Sequence, residues 1–349
     1  MKILSAPQQI CFGITNKCNL SCKHCLASGT AGSREFSRDM LRTIIHQIRD
    51  MKIFNVAVFG GEPLASEHFH FVIEEFEKYP IALSLNTNAT LIDSEEADWL
   101  ARTRLNAFCI SLDGGSAAVH DGFRGRGSFD AAVRGITQIQ RIKKNIVLSA
   151  TLTKVNCRDI ENIVALARDM GITNVRFNNV CYVGTAACFS DELLMTPAET
   201  FAALETIRSL KEKYGPLITG SVLQQAEIID ALKKAPPKLT FPLAVNPCGA
   251  AVTQCAIRPD GKVVPCEIIW DFPAGDLYEE SLAEIWKNSP VMNQFRIPCA
   301  VQAEDIPECV DCRYLRLCYL GHRCQPYYYP GRFMNKKLFC INESVFYAS

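Results

Sequence analysis

Between residue 10 and about residue 215, short apolar runs rich in β-branched side chains alternate with longer stretches whose apolar positions recur three and four apart. The first pattern reads as strand and the second as amphipathic helix. Strands are predicted at Ile10–Thr15, Asn55–Phe59, Ile81–Asn86, Ala107–Leu112, Ile146–Thr151 and Asn174–Asn178. Helices are predicted at Asp39–Lys52, His68–Tyr79, Ser94–Thr103, Phe129–Lys143, Arg158–Met170 and Thr196–Tyr214, the last opening on Thr196-Pro197, a helix-start signal. Six strand–helix units in series imply a parallel sheet with right-handed crossovers. Six is too few for a closed eight-fold barrel, so the predicted fold is α/β, a partial (β/α)6 TIM-type barrel.

The alternation then stops. Residues 216–247 read as a bridge, with a helical stretch at Val222–Lys234 followed by the breakers Ala235-Pro236-Pro237. From Cys248 onward the chain is short strands, turns and cysteines, and a segment so poor in apolar periodicity is expected to need metal to hold its shape. The expected organisation is a barrel domain over 1–215, a helical bridge over 216–247 and a cysteine-rich domain over 248–349.

Composition changes this picture in one respect. Charge is balanced, 37 basic against 37 acidic residues, which gives no electrostatic reason to expect nucleic acid or an anionic membrane as partner. No run approaches the roughly 18 apolar residues of a membrane span, and the N-terminus lacks the apolar stretch of a signal peptide. The 17 cysteines are the outlier. In a cytoplasmic chain, which is the expectation here, thiols stay reduced and abundant cysteine points to metal.

Cys18, Cys22 and Cys25 fall within eight residues in the loop leaving the first strand, the end at which barrel enzymes carry their chemistry. Three thiolates leave one position of a four-iron cluster without a protein ligand, as a catalytic centre requires. A three-cysteine share of a zinc site, or simple buried thiols, is the alternative from these residues alone.

Cys18-x3-Cys22-x2-Cys25 after the first strand of such a barrel resembles the radical S-adenosylmethionine (SAM) superfamily, and further motifs follow in order. Gly60-Gly61-Glu62-Pro63 after the second strand is similar to the family's segment that holds the SAM amino group; two glycines there permit close backbone approach and positive φ. Ser84 and Asn86 end the third strand, and Ser111 and Asp113 the fourth, where the family binds ribose and carboxylate. His120-Asp121-x2-Arg124-Gly125 also matches, with Arg124 toward the carboxylate and His24 toward the adenine. The resemblance implies that the open iron chelates SAM and that one electron cleaves the sulfonium. The 5′-deoxyadenosyl radical then abstracts a substrate hydrogen. It also implies an electron donor such as flavodoxin or ferredoxin.

The tail resembles the SPASM iron–sulfur domain of peptide- and protein-modifying radical SAM enzymes. Cys248-x12-Gly261-x4-Cys266, Cys309-x2-Cys312-x5-Cys318, Gly275-Asp276-Leu277 and Leu282–Trp286 all fit; Cys318-x5-Cys324 departs from the usual three-residue spacing. By this resemblance Cys248, Cys255, Cys266 and Cys324 hold one auxiliary [4Fe–4S] cluster and Cys309, Cys312, Cys318 and Cys340 a second, with zinc in one site as the alternative. Glu267 stands where sulfatase-maturing relatives have a general-base aspartate, the alternative being a surface carboxylate. Cys11, Cys109, Cys157, Cys181, Cys188 and Cys299 are expected to be incidental thiols.

The implied function is radical oxidation or cross-linking of a peptide or protein, with auxiliary clusters relaying electrons. The short segment before the first strand leaves no room for a leader-binding domain, so a separate leader-binding protein is expected. The same machinery acting on a tetrapyrrole precursor or sugar is the second reading. A non-catalytic electron carrier or zinc scaffold is the third, and it leaves the SAM-side motifs unexplained.

Overall fold

In the computed structural model the described residues are 4–26, 35–181, 183–223 and 249–296. Strands β1 (Gln9–Gly13), β2 (Asn55–Phe59), β3 (Ala82–Thr87), β4 (Ala107–Ser111), β5 (Asn145–Leu152) and β6 (Val175–Asn179) pair in parallel, each with the next. Between them run α1 (Arg38–Asp50), α2 (Phe69–Glu77), α3 (Ser94–Ala101), α4 (Ala117–Arg124), α5 (Ser128–Arg141) and α6 (Ile160–Asp169). The predicted strands and helices are present within one to three residues at each end. Helix α4 is additional.

The sheet sorts its side chains by strand parity. Ile10, Phe12, Val56, Val58, Leu85, Phe108, Ile110, Leu148, Val175 and Phe177 are fully buried on the face that the helices cover. In α1 the covering stripe is Leu41, Ile44, Ile45 and Ile48, at helical spacing, and Ser37 caps the helix by accepting from the Met40 N–H. The opposite face carries small and polar side chains: Cys11, Ala57, Ser84, Cys109, Ser149 and Asn178. This is the inner face.

After β6 come the single turns α7 (Thr185–Cys188) and α8 (Ser190–Leu193), then α9 (Pro197–Tyr214) and the short β7 (Ile218–Thr219), parallel to β6. A capping box between Thr196 and Glu199 starts α9. The start of the cysteine-rich segment continues the same sheet. Strand β8 (Gln254–Ile257) lies parallel to β1, and β9 (Lys262–Val264) and β10 (Gly275–Asp276) add antiparallel beyond it. The order is β10-β9-β8-β1-β2-β3-β4-β5-β6-β7. Helices α10 (Leu282–Asn288) and α11 (Pro290–Arg296) pack back on the barrel. The Leu282 N–H donates to Gln47 of α1 at 2.6 Å, and the Trp286 indole donates to the Leu4 carbonyl at 2.9 Å. Thus residues 249–296 bury their apolar side chains in the barrel's own core, which is why weak internal periodicity suffices there. The bridge helix at Val222–Lys234 and the cysteines from Cys299 onward lie outside the described residues.

Candidate active site

The loop after β1 carries Cys18, Cys22 and Cys25 and is clamped on three sides. The Gly61 N–H donates to Thr15 O and the Glu62 N–H to Lys17 O, both at 2.8 Å, while the Lys23 N–H reaches Phe123 O of α4 at 3.0 Å. The glycines of the 60–63 segment owe their identity to this clamp. A side chain on Gly60 would collide with the Thr15 carbonyl and one on Gly61 with the Lys17 carbonyl, and Gly60 takes φ +155°. The close approach expected toward a ligand is therefore made to the cysteine loop itself.

The three thiols act electrostatically on one another. Burial pushes Cys22 up to about 11, opposed first by the Arg124 guanidinium, whose Nη1 lies 3.9 Å from Cys22 Sγ. Arg124 is itself buried and ion-paired with the fully buried Asp113. Asp113 also accepts from the Thr151 N–H at 2.6 Å; burial raises it, but Arg124, His24, this bond and His120 together hold it below the usual carboxylate range. Both carboxylate oxygens are thus engaged by the protein. Asp113 serves the site by fixing Arg124.

His24 is buried against Phe123, edge to face at 4.9 Å, and its Nε2 lies 3.2 Å from Arg124 Nη2. Burial lowers its pKa to about 4, so the ring is neutral near pH 7. With Nε2 accepting from Arg124, the ring proton belongs on Nδ1, which is buried without a partner. His120 Nδ1 accepts from the Asp113 N–H at 3.1 Å and secures the turn after β4.

Glu62 is 1 % exposed and accepts from Thr87 Oγ1 at 2.7 Å and from the Asn88 N–H at 2.8 Å. Burial raises it to about 7 against those bonds. No cation stands within ion-pair distance of it among the described residues. Pro63 begins the 310 turn Pro63–Ala65 that Glu62 caps. Thr87 and Asn88, which aim Glu62, were not singled out from sequence; a hydroxyl and a turn-forming amide just past a strand end were the available signal. Ser84, Asn86 and Ser111 lie on the inner face, Asn86 and Ser111 at the C-terminal ends of their strands and Ser84 in the middle of β3.

These residues fit the groups that the sequence implies. Three neighbouring thiols on one loop, one beside a guanidinium, suit an iron–sulfur cluster with an open iron. Among the described residues no three His, Cys, Asp or Glu side chains converge as they would on a single metal ion. The carboxylate of Glu62, hydrogen-bonded but with no cation beside it among the described residues, suits an ammonium, and the unpartnered Nδ1 of His24 suits an acceptor on a bound ligand.

Further tail positions pack against β1 and its neighbours. Cys255 is fully buried in β8, and the Cys266 segment packs on the 249–254 turn through the Ala251 N–H to Pro265 O bond at 3.0 Å. The Gln254 amide donates to Cys266 Sγ at 3.4 Å. Glu267 is half-buried, 3.1 Å from Cys266 Sγ and 3.5 Å from Cys11 Sγ on the inner face, so it is not a free surface carboxylate. Its charge also reaches Cys181. Cys11, expected to be incidental, therefore lies between the inner face and the tail; the parity it shares with Gly13 in β1 was the signal. Cys248, Cys309, Cys312, Cys318, Cys324 and Cys340 lie outside the described residues.

Residues 12–167 match the radical SAM superfamily and residues 248–313 an iron–sulfur cluster-binding domain of the SPASM type. The chain is 31% identical over 301 residues to mycofactocin maturase MftC of Mycobacterium ulcerans (strain Agy99), covering 84% of this chain and 78% of that one. It is 26% identical over 349 residues to the AdoMet-dependent heme synthase of Methanosarcina barkeri (strain Fusaro / DSM 804), covering 97% of each. Streptococcus suis SuiB, solved with its precursor peptide SuiA, shares the fold with a TM-score of 0.74 at 18% identity, over 92% of this chain and 72% of SuiB.

Proposed function

The chain belongs to the radical SAM superfamily, in its SPASM branch, and from that premise we propose that it modifies a peptide or protein by radical oxidation or cross-linking. It is an iron–sulfur enzyme that uses S-adenosylmethionine. The observation that carries the peptide reading is the 31% identity to a relative named as a maturase, over most of both chains.

The SAM-bound cluster supplies a one-electron cleavage and hence a hydrogen-abstracting radical. The chain's own residues do the rest. In this reading Cys18, Cys22 and Cys25 hold the cluster. Glu62, aimed by Thr87 and Asn88, takes the SAM ammonium. Arg124, fixed by Asp113, faces the carboxylate, with Gly60, Gly61, Pro63, Ser84, Asn86, Ser111 and His24 shaping the remainder of the pocket. Glu267, between Cys11 and Cys266, accepts a substrate proton on the side facing the tail, beside the auxiliary cluster of Cys248, Cys255, Cys266 and Cys324. Cys309, Cys312, Cys318 and Cys340 would hold a second cluster, which would supply an electron relay. Residues 1–215 then form the radical-generating unit, 216–247 the bridge and 248–349 the relay unit. A flavodoxin or ferredoxin supplies electrons, a separate protein binds the leader peptide, and the enzyme works in the reducing cytoplasm. Among the described residues no helix is long and apolar enough to cross a membrane.

Incubation of the reduced, reconstituted enzyme and SAM with short peptides encoded beside its gene tests this. A mass change in one of them, dependent on Cys312, is expected. A small-molecule reading is favoured by the full-length similarity to a heme synthase. Turnover of an iron porphyrin precursor, with no peptide modified, would decide for it.

A further inference from the structure

Among the inward-facing strand positions of β1–β6, one side chain is charged. The others are Gln, Cys, Asn, Ala, Ser, Thr, Val, Phe and Gly, with no aspartate or glutamate. The exception is Arg176 in β6. Its neighbours Val175 and Phe177 are wholly buried in the helix-covered core, so Arg176 projects to the other side, and it is exposed. It forms no ion pair among the described residues. An arginine on a strand between two core residues, with no ion-pair partner among the described residues, has no structural task that a neutral side chain would not perform.

Its position within the sheet is also informative. Ser111, Ser149 and Arg176 are aligned across three adjacent strands by direct register. At about 4.8 Å per strand, Arg176, the second residue of β6, stands about 10 Å from Ser111 across the sheet. Beside it, Asn178 Nδ2 donates to Ser149 Oγ at 3.1 Å, and the Ser149 side chain is hydrogen-bonded in turn to the Cys109 thiol, so the neighbouring polar groups are paired with one another and Arg176 is not. Its charge also reaches the Cys109 thiol one strand further in, opposing the rise that burial causes there.

We propose that Arg176 binds a carboxylate of the substrate and sets which part of that substrate faces the SAM pocket. A guanidinium presents a planar fork matched to a carboxylate. One cation among neutral hydroxyl and amide groups balances a monoanion rather than a phosphate dianion. For a peptide, the carboxylate belongs either to the C-terminus or to an acidic side chain. This inference rests on the reading that substrate occupies the inner face, and it extends that reading by assigning an anchor.

The test labels the reconstituted full chain with phenylglyoxal and follows Arg176 by peptide mass spectrometry. The protectants are N-acetyl tripeptide pools with free C-termini, the same pools as C-terminal amides, amidated pools containing Glu or Asp, and glutarate. Arg176 is expected to label in the free enzyme. A carboxylate-bearing pool should slow that labelling about tenfold relative to its amide, the effect of one charge-assisted hydrogen bond. The free-terminus and acidic-residue pools identify the source of the carboxylate. Protection by glutarate but by no peptide pool keeps the carboxylate anchor and removes the peptide reading. Equal protection by amides, protection by none, or an Arg176 already unreactive in the free enzyme overturns the proposal.

Discussion

Arg124 Nη1 lies 3.9 Å from Cys22 Sγ, linking the turn after β4 to the cysteine loop after β1. The guanidinium is kept there by its buried ion pair with Asp113. Asp113→Asn leaves a buried cation unbalanced, and urea denaturation of the cluster-free protein is expected to show a loss of about 3–5 kcal/mol. The double variant Asp113→Asn/Arg124→Met, which removes both charges, should lose less than the single. Equal losses would mean that the pair contributes nothing beyond packing.

Gly61→Ala puts a methyl group against the Lys17 carbonyl and 2.7 Å from the Asn16 carbonyl, so the cysteine loop must shift. Iron bound at the barrel cluster should fall well below the parent level, with the sheet intact by circular dichroism. Gly122→Ala in α4 meets nothing within 4 Å and serves as the control, expected to be neutral or slightly stabilising. If both variants load iron alike, the clamp does not set the loop.

Glu62 supplies a pH dependence. Its carboxyl is raised from 4.5 to about 7 by burial, so the folded protein holds a proton there that the unfolded chain releases earlier. Stability of the SAM-free protein therefore falls as pH rises through this window, by up to roughly 3 kcal/mol once pH exceeds the folded value. Glu62→Gln should remove this component, so that denaturation at pH 5.5 and pH 8 differs less than in the parent. The same variant should bind SAM weakly. A variant with the parent's pH slope would place the titration elsewhere.

Glu267→Gln keeps the shape and removes the base. The expected result is continued deoxyadenosine formation with loss of substrate-derived product, measured by liquid chromatography on one sample. Full product yield would return Glu267 to a structural role beside Cys11 and Cys266.

The barrel is legible in the sequence because its signals are local. Residues Val56 and Val58, or Leu41, Ile44, Ile45 and Ile48, disclose their face within one turn or strand. Helix α4 escapes notice because it is eight residues long and contains Gly122. The sheet's extension escapes for another reason: β8 is paired by register to β1, with Cys255 opposite Ile10, and nothing in residues 254–257 alone names so distant a partner. The site divides in the same way. Cys18, Cys22, Cys25 and Glu62 are marked by motif. The neighbourhood of Cys11 and Glu267, 256 residues apart, and the isolation of Arg176 emerge only once the strands are side by side.

The most direct measurement is 5′-deoxyadenosine formed by the anaerobically reconstituted chain with SAM and dithionite. The expected result is deoxyadenosine in the parent and none in Cys18→Ala, with SAM otherwise intact. Absence of deoxyadenosine from the iron-loaded parent, or its persistence in Cys18→Ala, would contradict the assignment of Cys18, Cys22 and Cys25 as the seat of the radical-generating cluster.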